Sequence, residues 1–292
     1  MLSILIPVYN FDVRVLIKEL HRQALGLPLP AEIICFDDCS EEPWKTLNRE
    51  VALLSSVQYK EWPENLGRSR IRNVLADAAR GSHLLFLDCD SEAPDEAYLQ
   101  RYVEALEPES VLYGGRIYRE APPGDPKLLL HWRYGSQREQ MPPARRRKHP
   151  YHHFMTNNFL IPSSVFQEIR FDERLTRYGH EDTLFGMELR RRKVPVRHLD
   201  NPLFHIGLEH ASTFLQKTRE GVRNLAFLYR SGTGIETRLT AFYEKLNRAG
   251  LAAPAKGALA ALRPWLLRNL LSGRPRLFLF DLYKLSLLLE EM

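Results

Sequence analysis

Apolar runs of strand length alternate with helical periodicity over the first 115 residues, and that alternation leaves few architectures open. "LSILIPV" (2–8), "AEIICFDD" (31–38), "VQYKEW" (57–62), "HLLFLD" (83–88) and "SVLYGGRIY" (110–118) read as strands. Between them, residues 12–25 set Val15, Leu16, Leu20 and Leu25 roughly on one face, and residues 43–54 and 95–106 read as helices. Residues 68–81 carry Ile71, Leu75 and Ala78 on one side and end at Gly81. Strands alternating with helices predict an α/β fold, a mostly parallel sheet flanked by helices on both faces. Ligands of such open sheets bind outside the carboxyl ends of the strands. Asp37, Asp38, Asp88 and Asp90 all fall at such ends.

"FLDCD" brings two like charges together at the mouth of an apolar strand, a poor choice for stability alone. The pair suits a divalent metal and a diphosphate. One carboxylate ligates the ion, the other takes a ribose hydroxyl or a metal-bound water, and the ion neutralises a departing phosphate. The same residues also read as a solvated turn in which Ser91 and Asp95 cap the next helix. "DDCS" (37–40) offers Asp38 to a base N–H or to ribose hydroxyls, or simply turns the chain. "PVYN" (7–10) reads as a proline-led loop with a packed tyrosine. "NLGRSRIRN" (65–73) puts Asn65, Gly67, Arg68, Arg70 and Arg72 at a helix start, where they also read as a basic solvated face.

Together, "SILIPVYN", "FDDCS", "ENLGRSRIRN", "ARGSHLLFLDCD" and "GHED" resemble glycosyltransferase family 2 in order and spacing, across about residues 1–207. The resemblance implies the GT-A fold, a Rossmann-like sheet that binds a nucleotide-sugar. It implies that Pro7, Tyr9 and Asn10 form the first nucleotide-contacting loop and that Asp38 contacts the base, commonly uracil. Asn65, Gly67, Arg72 and Asn73 match the family's N-x-G-x-x-x-A-R-N pattern, with Ile71 where alanine is usual. Asp88 and Asp90 match its D-x-D, so ribose and Mn²⁺ or Mg²⁺ are the implied ligands. "GHED" implies Asp182 as the base of an inverting transfer, with Glu181 orienting the acceptor or the loop; apart from the resemblance, the pair reads as an acidic helix start. A base opposite the leaving diphosphate must take the acceptor's proton. His205, in "NPLFHIGLE", is a candidate third ligand to metal or diphosphate. "TNNFLIPSSVF" (156–166) resembles the segment lining the sugar site, with Asn157 or Asn158 on donor hydroxyls.

The expected division is a catalytic, nucleotide-sugar-binding domain over 1–210 and a helical C-terminal region over 211–292 for acceptor, membrane or dimer contact. Residues 119–153, rich in Pro, Arg and His, predict a long, partly mobile excursion. Within it "ARRRKH" (144–149) can clamp a diphosphate or an anionic acceptor, or face solvent. "VPVRHLD" (194–200) predicts an edge strand, and the pattern is helical from 212 with breaks near Ser231–Gly234 and at Pro254. The tail "LRPWLLRNLLSGRPRLFLFDLYKLSLLLEEM" mixes basic and aromatic residues. It suits peripheral contact with a membrane, a homodimer contact, or packing on the protein's own core.

The net charge of +5 over 292 residues favours anionic partners. Nucleic acid is excluded as the reading, because no aromatic platform interleaves the basic runs and no recognised module is present. Three cysteines without C-x-x-C spacing predict neither a zinc site nor a disulfide framework, and a cytoplasmic location. The N-terminus reads as a strand, too short for a signal peptide or a span. The expected partners are a nucleotide-diphosphate sugar, UDP first, and a glycan or lipid-linked acceptor of cell-surface polysaccharide synthesis, worked on at the inner face of the membrane. The alternatives are a nucleotidyltransferase-like enzyme, although "PVYNFDVR" lacks its Gly-rich phosphate loop, and a non-catalytic sugar-nucleotide-binding module.

Overall fold

A computed structural model describes residues 1–174 and 179–292. Its described residues form two compact units, a sheet unit of residues 1–118, 140–174 and 181–207, and a helical unit of residues 119–139, 179–180 and 208–292. Along the chain come β1 (Leu2–Val8), α1 (Arg14–Leu25), β2 (Ala31–Asp37), α2 (Glu42–Asn48), β3 (Val57–Glu61), α3 (Arg68–Ala78) and β4 (His83–Leu87). They are followed by β5 (Ser91–Glu92), α4 (Tyr98–Glu104), β6 (Val111–Tyr113), β7 (Arg116–Ile117), α5 (Leu129–Tyr134) and α6 (Pro143–Arg146). Next are β8 (Asn158–Pro162), α7 (Ser163–Ile169), α8 (Glu181–Arg191), β9 (Val196–His198) and β10 (Leu203–His205). Last are α9 (Ala211–Arg230), α10 (Arg238–Arg248), α11 (Ala252–Leu270) and α12 (Leu277–Glu291).

Seven strands of the sheet unit pair in the order β3-β2-β1-β4-β8-β6-β9. Pairing is parallel from β3 to β4 and between β6 and β9, while β8 runs antiparallel between β4 and β6. The central parallel strands β1, β2 and β4 are largely apolar because both faces are covered. Ile4, Ile6, Ile33, Cys35, Leu85 and Leu87 point to one face, which α1 and α4 cover with Leu16, Ile17, Leu20, Tyr98 and Tyr102. Leu5, Ile34, Phe36, Leu84 and Phe86 point to the other, packed on Ile71 and Leu75 of α3, Phe166 of α7 and Phe185 and Leu189 of α8. This is the expected α/β sheet, with β9 at its edge. In the helical unit, Leu130 of α5, Phe214, Leu215 and Val222 of α9, Leu266 and Leu270 of α11 and Phe280 and Tyr283 of α12 make a separate core.

Four local expectations change. The strand expected over 110–118 breaks at Gly114–Gly115 into β6 in the large sheet and β7 in a three-stranded sheet, β5-β10-β7. Gly115 takes φ +101, open only to glycine at low cost, and a Cβ on Gly114 would lie 2.3 Å from the Asn201 carbonyl oxygen. Residues 119–153 contain α5, a π-helical turn at Gly135–Glu139, and α6, so the excursion has structure of its own. The helix expected over 43–54 changes to a 3₁₀ turn at Arg49–Leu53. The break assigned to Pro254 falls earlier, at Gly250–Leu251, because proline is tolerated in the first turn of α11.

Candidate active site

Parallel pairing brings the carboxyl ends of β1, β2 and β4 to one edge of the sheet: Val8 stands opposite Asp37, and Leu5 opposite Phe86. The loops beyond them are cross-tied. Asn10, at φ +49, donates its backbone N–H to Ser40 Oγ (2.8 Å), and its Oδ1 accepts from the Glu41 N–H (2.8 Å). Its amide thus joins the first two loops, while Tyr9 beside it is exposed and Pro7 half-buried. Asp38 is buried, and its two oxygens accept from the Leu66 (2.6 Å) and Gly67 (3.0 Å) N–H groups. The Asn65 amide donates to the Asp38 carbonyl at 2.9 Å. Asp38 therefore shapes the entry to α3, which Gly67 starts at φ +80. Burial pushes the Asp38 carboxyl up, against those two backbone bonds.

The two acids of "DCD" meet different environments. Asp88 is clamped by two guanidinium groups: Arg72 donates to Oδ1 at 2.6 Å and Arg116 to Oδ2 at 3.1 Å. All three side chains are largely buried. That departs from the expectation of Asp88 as a metal ligand, because each oxygen already holds a cation's N–H. Arg116, on β7, had no part in the sequence reading; the only signal for it was the Gly-Gly pair that frees β7 to turn toward β4.

Asp90 is brought to His205 by the small sheet, in which β10 pairs with β5 (His205 opposite Ser91) and with β7. His205 Nδ1 lies 3.3 Å from Asp90 Oδ1, a buried oxygen that faces the imidazole. A Cβ on Gly207 would stand 2.6 Å from both Asp90 Cβ and Oδ2, so the 206–207 segment closes on Asp90 only as glycine. Burial would raise the Asp90 carboxyl, but His205 and then Arg116 and Arg68 outweigh it and hold the group well below the usual carboxylate range. An ionised carboxylate beside an imidazole, which ligates when neutral, fits a divalent cation. Among the described residues, no group of three or more His, Cys, Asp or Glu forms a complete metal cage. Two protein donors suit an ion whose remaining positions belong to diphosphate oxygens and water.

The two asparagines split. Asn158 is fully buried: Oδ1 accepts from the Tyr98 (2.6 Å) and Tyr102 (2.7 Å) hydroxyls, and Nδ2 donates to the Gly115 (2.9 Å) and Asn201 (3.0 Å) carbonyls. Its hydrogen-bonding capacity is filled by protein, which corrects the expectation that it holds a sugar. Asn157 stays with the site, because its carbonyl accepts the Asp88 N–H at 3.1 Å. Arg146, from the basic run, is buried and serves the same hub. It donates to the carbonyls of Tyr113 (3.2 Å), Gly114 (3.0 Å) and Leu199 (2.8 Å), which fix the turns leading to β7 and β10.

Glu181 and Asp182 open α8. Arg68, at the start of α3, donates to Glu181 Oε1 at 3.2 Å and acts electrostatically on both Asp90 and Asp182. Asp182 Oδ1 accepts from the Thr183 N–H at 2.7 Å. Burial, then the charge of Glu181, push the Asp182 carboxyl up to about 6. One carboxylate is thus kept ionised and another raised toward the range of a working base, with Arg68 between them.

Residues 3–170 match the family model described as Glycosyl transferase family 2. Compared by sequence with curated proteins, the chain matches none. Among solved structures it is similar to S. aureus TarS 1-349 in complex with UDP, at 16% identity over 99% of this chain and 90% of that one, TM-score 0.51. It is similar to the mannosyltransferase PcManGT from Pyrobaculum calidifontis in complex with GDP-Man and Mn²⁺, at 12% identity over 99% and 85%, TM-score 0.56. A third likeness is to glucosyl-3-phosphoglycerate synthase from Mycobacterium tuberculosis in complex with Mn²⁺, UDP and glucosyl-3-phosphoglycerate, at 16% identity over 82% and 81%, TM-score 0.54. The chain spans 63% of one TarS 1-349 chain and 54% of the longer S. aureus TarS. These likenesses carry the fold, the Rossmann-like GT-A sheet, and the family match covers more than half of the sequence. With the sheet and the family match in agreement, this chain belongs to glycosyl transferase family 2.

Proposed function

We propose that this chain is an inverting, metal-dependent glycosyltransferase that moves a sugar from a nucleotide-diphosphate donor, UDP-sugar first, to a glycan or lipid-linked acceptor of cell-surface polysaccharide. The observation that carries this reading is the pairing of an ionised Asp90 beside His205 with a raised Asp182. The similar structures are complexes with UDP, or with GDP-Man or UDP together with Mn²⁺, which supports the donor class.

In this reading the exposed Tyr9 ring and the Asp38 loop receive the base, with Pro7, Asn10, Asn65 and Gly67 shaping the cradle. Asp88, held by Arg72 and Arg116, faces the ribose, and Asn157 lies at the sugar. Asp90 and His205 are the residues that would hold Mn²⁺ or Mg²⁺; the bound ion supplies charge neutralisation for the departing diphosphate. Asp182 takes the proton from the acceptor hydroxyl as that oxygen attacks the anomeric carbon and the bond to the diphosphate breaks on the opposite face. Glu181, anchored by Arg68, keeps the start of α8 in place and keeps the Asp182 carboxyl basic.

The test has two parts. A thermal-shift panel of nucleoside diphosphates, with Mn²⁺ or with EDTA, should show stabilisation of about 2–3 kcal/mol by the cognate nucleotide at about a hundredfold over its Kd, and only with metal. Asp182→Asn should keep that shift and lose sugar transfer by on the order of a thousandfold or more. No shift with any nucleotide and metal, or full turnover in Asp182→Asn, would refute the reading.

A further inference from the structure

The helical unit carries an exposed apolar face. α11 buries Leu259, Leu266 and Leu270, which mark one side of the helix at 100° per residue. On an ordinary surface helix the opposite side is polar. Here Ala261 and Arg268 lie opposite, and Ala258, Leu262 and Trp265 fill the flank between, all exposed. Leu271, just past α11, and Phe278, in the first turn of α12, flank the short connection between the two helices. Trp265, Leu271 and Phe278 are 56%, 53% and 69% exposed, so three large apolar side chains stand open to solvent toward this end of the two helices.

The charge along this stretch of chain has a single sign, with Asp281, paired with Arg138 and Lys284, just beyond it. From Lys245 to Phe280 the chain has seven Lys or Arg and no Asp or Glu. Arg248 and Arg263 are paired, with Glu244 and Glu290. Arg268, Arg274 and Arg276 are exposed and have no carboxylate partner among the described residues. They sit among the apolar residues, one turn beyond Trp265 and within the connection between Leu271 and Phe278.

We propose that this tip docks in the plane of an anionic lipid bilayer surface. Trp265, Leu271 and Phe278 enter the boundary between headgroups and acyl chains, and Arg268, Arg274 and Arg276 meet lipid phosphates. Charge decides for lipid over a second copy of the chain, since two such tips face to face would oppose three unpaired arginines to three others. Among the described residues no helix is long and apolar enough to cross a membrane, so the contact is peripheral. The docking stands apart from catalysis; its use, holding the enzyme where lipid-linked acceptors lie, rests on the function proposed above.

The test is flotation of the full chain with phosphatidylcholine vesicles with and without phosphatidylglycerol. The wild type should float only with phosphatidylglycerol and be released by high salt. Trp265→Ser/Phe278→Ser should weaken partitioning by on the order of tenfold, and each of Arg268→Glu, Arg274→Glu and Arg276→Glu by about fivefold or more. Brominated acyl chains should quench wild-type tryptophan fluorescence and leave Trp265→Phe, which still floats, unquenched. All these side chains are exposed, so melting temperatures should stay unchanged. The nucleotide-dependent thermal shift should also persist in the tip variants, and Asp182→Asn should still float, so this proposal and the catalytic one fail separately. No flotation of the wild type, flotation indifferent to these substitutions, or a solution dimer that Phe278→Ser dissolves would overturn it.

Discussion

Replacing Arg72 by methionine keeps an apolar stem and removes the cation from Asp88 and from the face of Phe171, 5.7 Å from its ring centroid. The guanidinium is 2% exposed and the carboxylate 11%, and the two are joined at 2.6 Å. Breaking a buried ion pair by deleting one partner costs about 3–5 kcal/mol, because a charge stays buried without its counter-ion. Arg116 still reaches the other oxygen at 3.1 Å, so the lower end, about 3 kcal/mol, applies. The solvent-exposed pair of Arg49 and Glu61 is the control: Arg49→Met should leave the urea midpoint nearly unchanged, because water and salt screen an exposed pair. The assay is urea unfolding followed by tryptophan fluorescence in a Trp132→Phe/Trp265→Phe background, where Trp44 and Trp62 report the sheet unit alone. Adding Asp88→Asn removes the stranded charge, and the double-mutant cycle should give a coupling of about 2 kcal/mol. Arg72→Met as mild as Arg49→Met, or strictly additive double variants, would refute the clamp on Asp88.

Other perturbations give equally specific outcomes. In the proposed reaction the ionised form of Asp182 is the acting base, and its carboxyl is pushed up to about 6, so kcat/KM should fall as pH drops through about 6; a profile flat down to the ordinary carboxylate range would reject it as the base. The same raised value means that the ionised form opposes folding above about 6 and not below 3.8, so Asp182→Asn should raise the melting temperature at neutral pH, with a gain that fades in acid. Gly207→Ala, whose new Cβ would meet Asp90 at 2.6 Å, should abolish the metal-dependent part of the nucleotide thermal shift and spare the metal-free melting temperature to within a few degrees. Asn158→Leu strands two tyrosine hydroxyls and two carbonyls, at about 1 kcal/mol or more each, and should destabilise the sheet unit by on the order of 4 kcal/mol in urea.

The strands around the site were legible because each is buried on both faces: Leu84 to Leu87 can only be a central strand if two helical layers cover it. The parallel pairing of β1, β2 and β4 was implied by the alternation, and it sets Asp37, Asp38, Asp88 and Asp90 at or beyond one end of the sheet. Illegible were the residues whose role depends on distant backbone. Arg146 lies in a run that reads as a solvated charge cluster, yet it is buried on carbonyls 32 to 53 positions away. Asn157 and Asn158 are alike in sequence, and only the pleat of β8 decides that Asn158 meets Tyr98 and Tyr102. Arg116 was hidden by a strand pattern that runs straight through Gly114–Gly115, where only three-dimensional crowding forces the break.

Like charges at the mouth of a strand are tolerated here because three guanidinium groups divide the carboxylates among themselves. Arg72 and Arg116 neutralise Asp88, while Arg68 spreads its charge over Glu181, Asp90 and Asp182. Asp90 stays ionised because His205 first, and then Arg116 and Arg68, outweigh its burial; Asp182 rises because burial and Glu181 exceed the field of Arg68. Carboxylates driven apart in proton affinity divide their work, one remaining a charged ligand and the other able to accept a proton. Arg68 is the group common to both, and removing it tests the division. Arg68 lowers the Asp182 carboxyl, so Arg68→Met should move the acid limb of the kcat/KM profile to higher pH and leave the plateau rate within reach at alkaline pH. A general loss of folding would depress the whole profile without moving its midpoint. A limb that stays in place, or moves toward acid, would mean that Asp182 titrates outside the field of Arg68, and the carboxylates would then need another reason to behave differently.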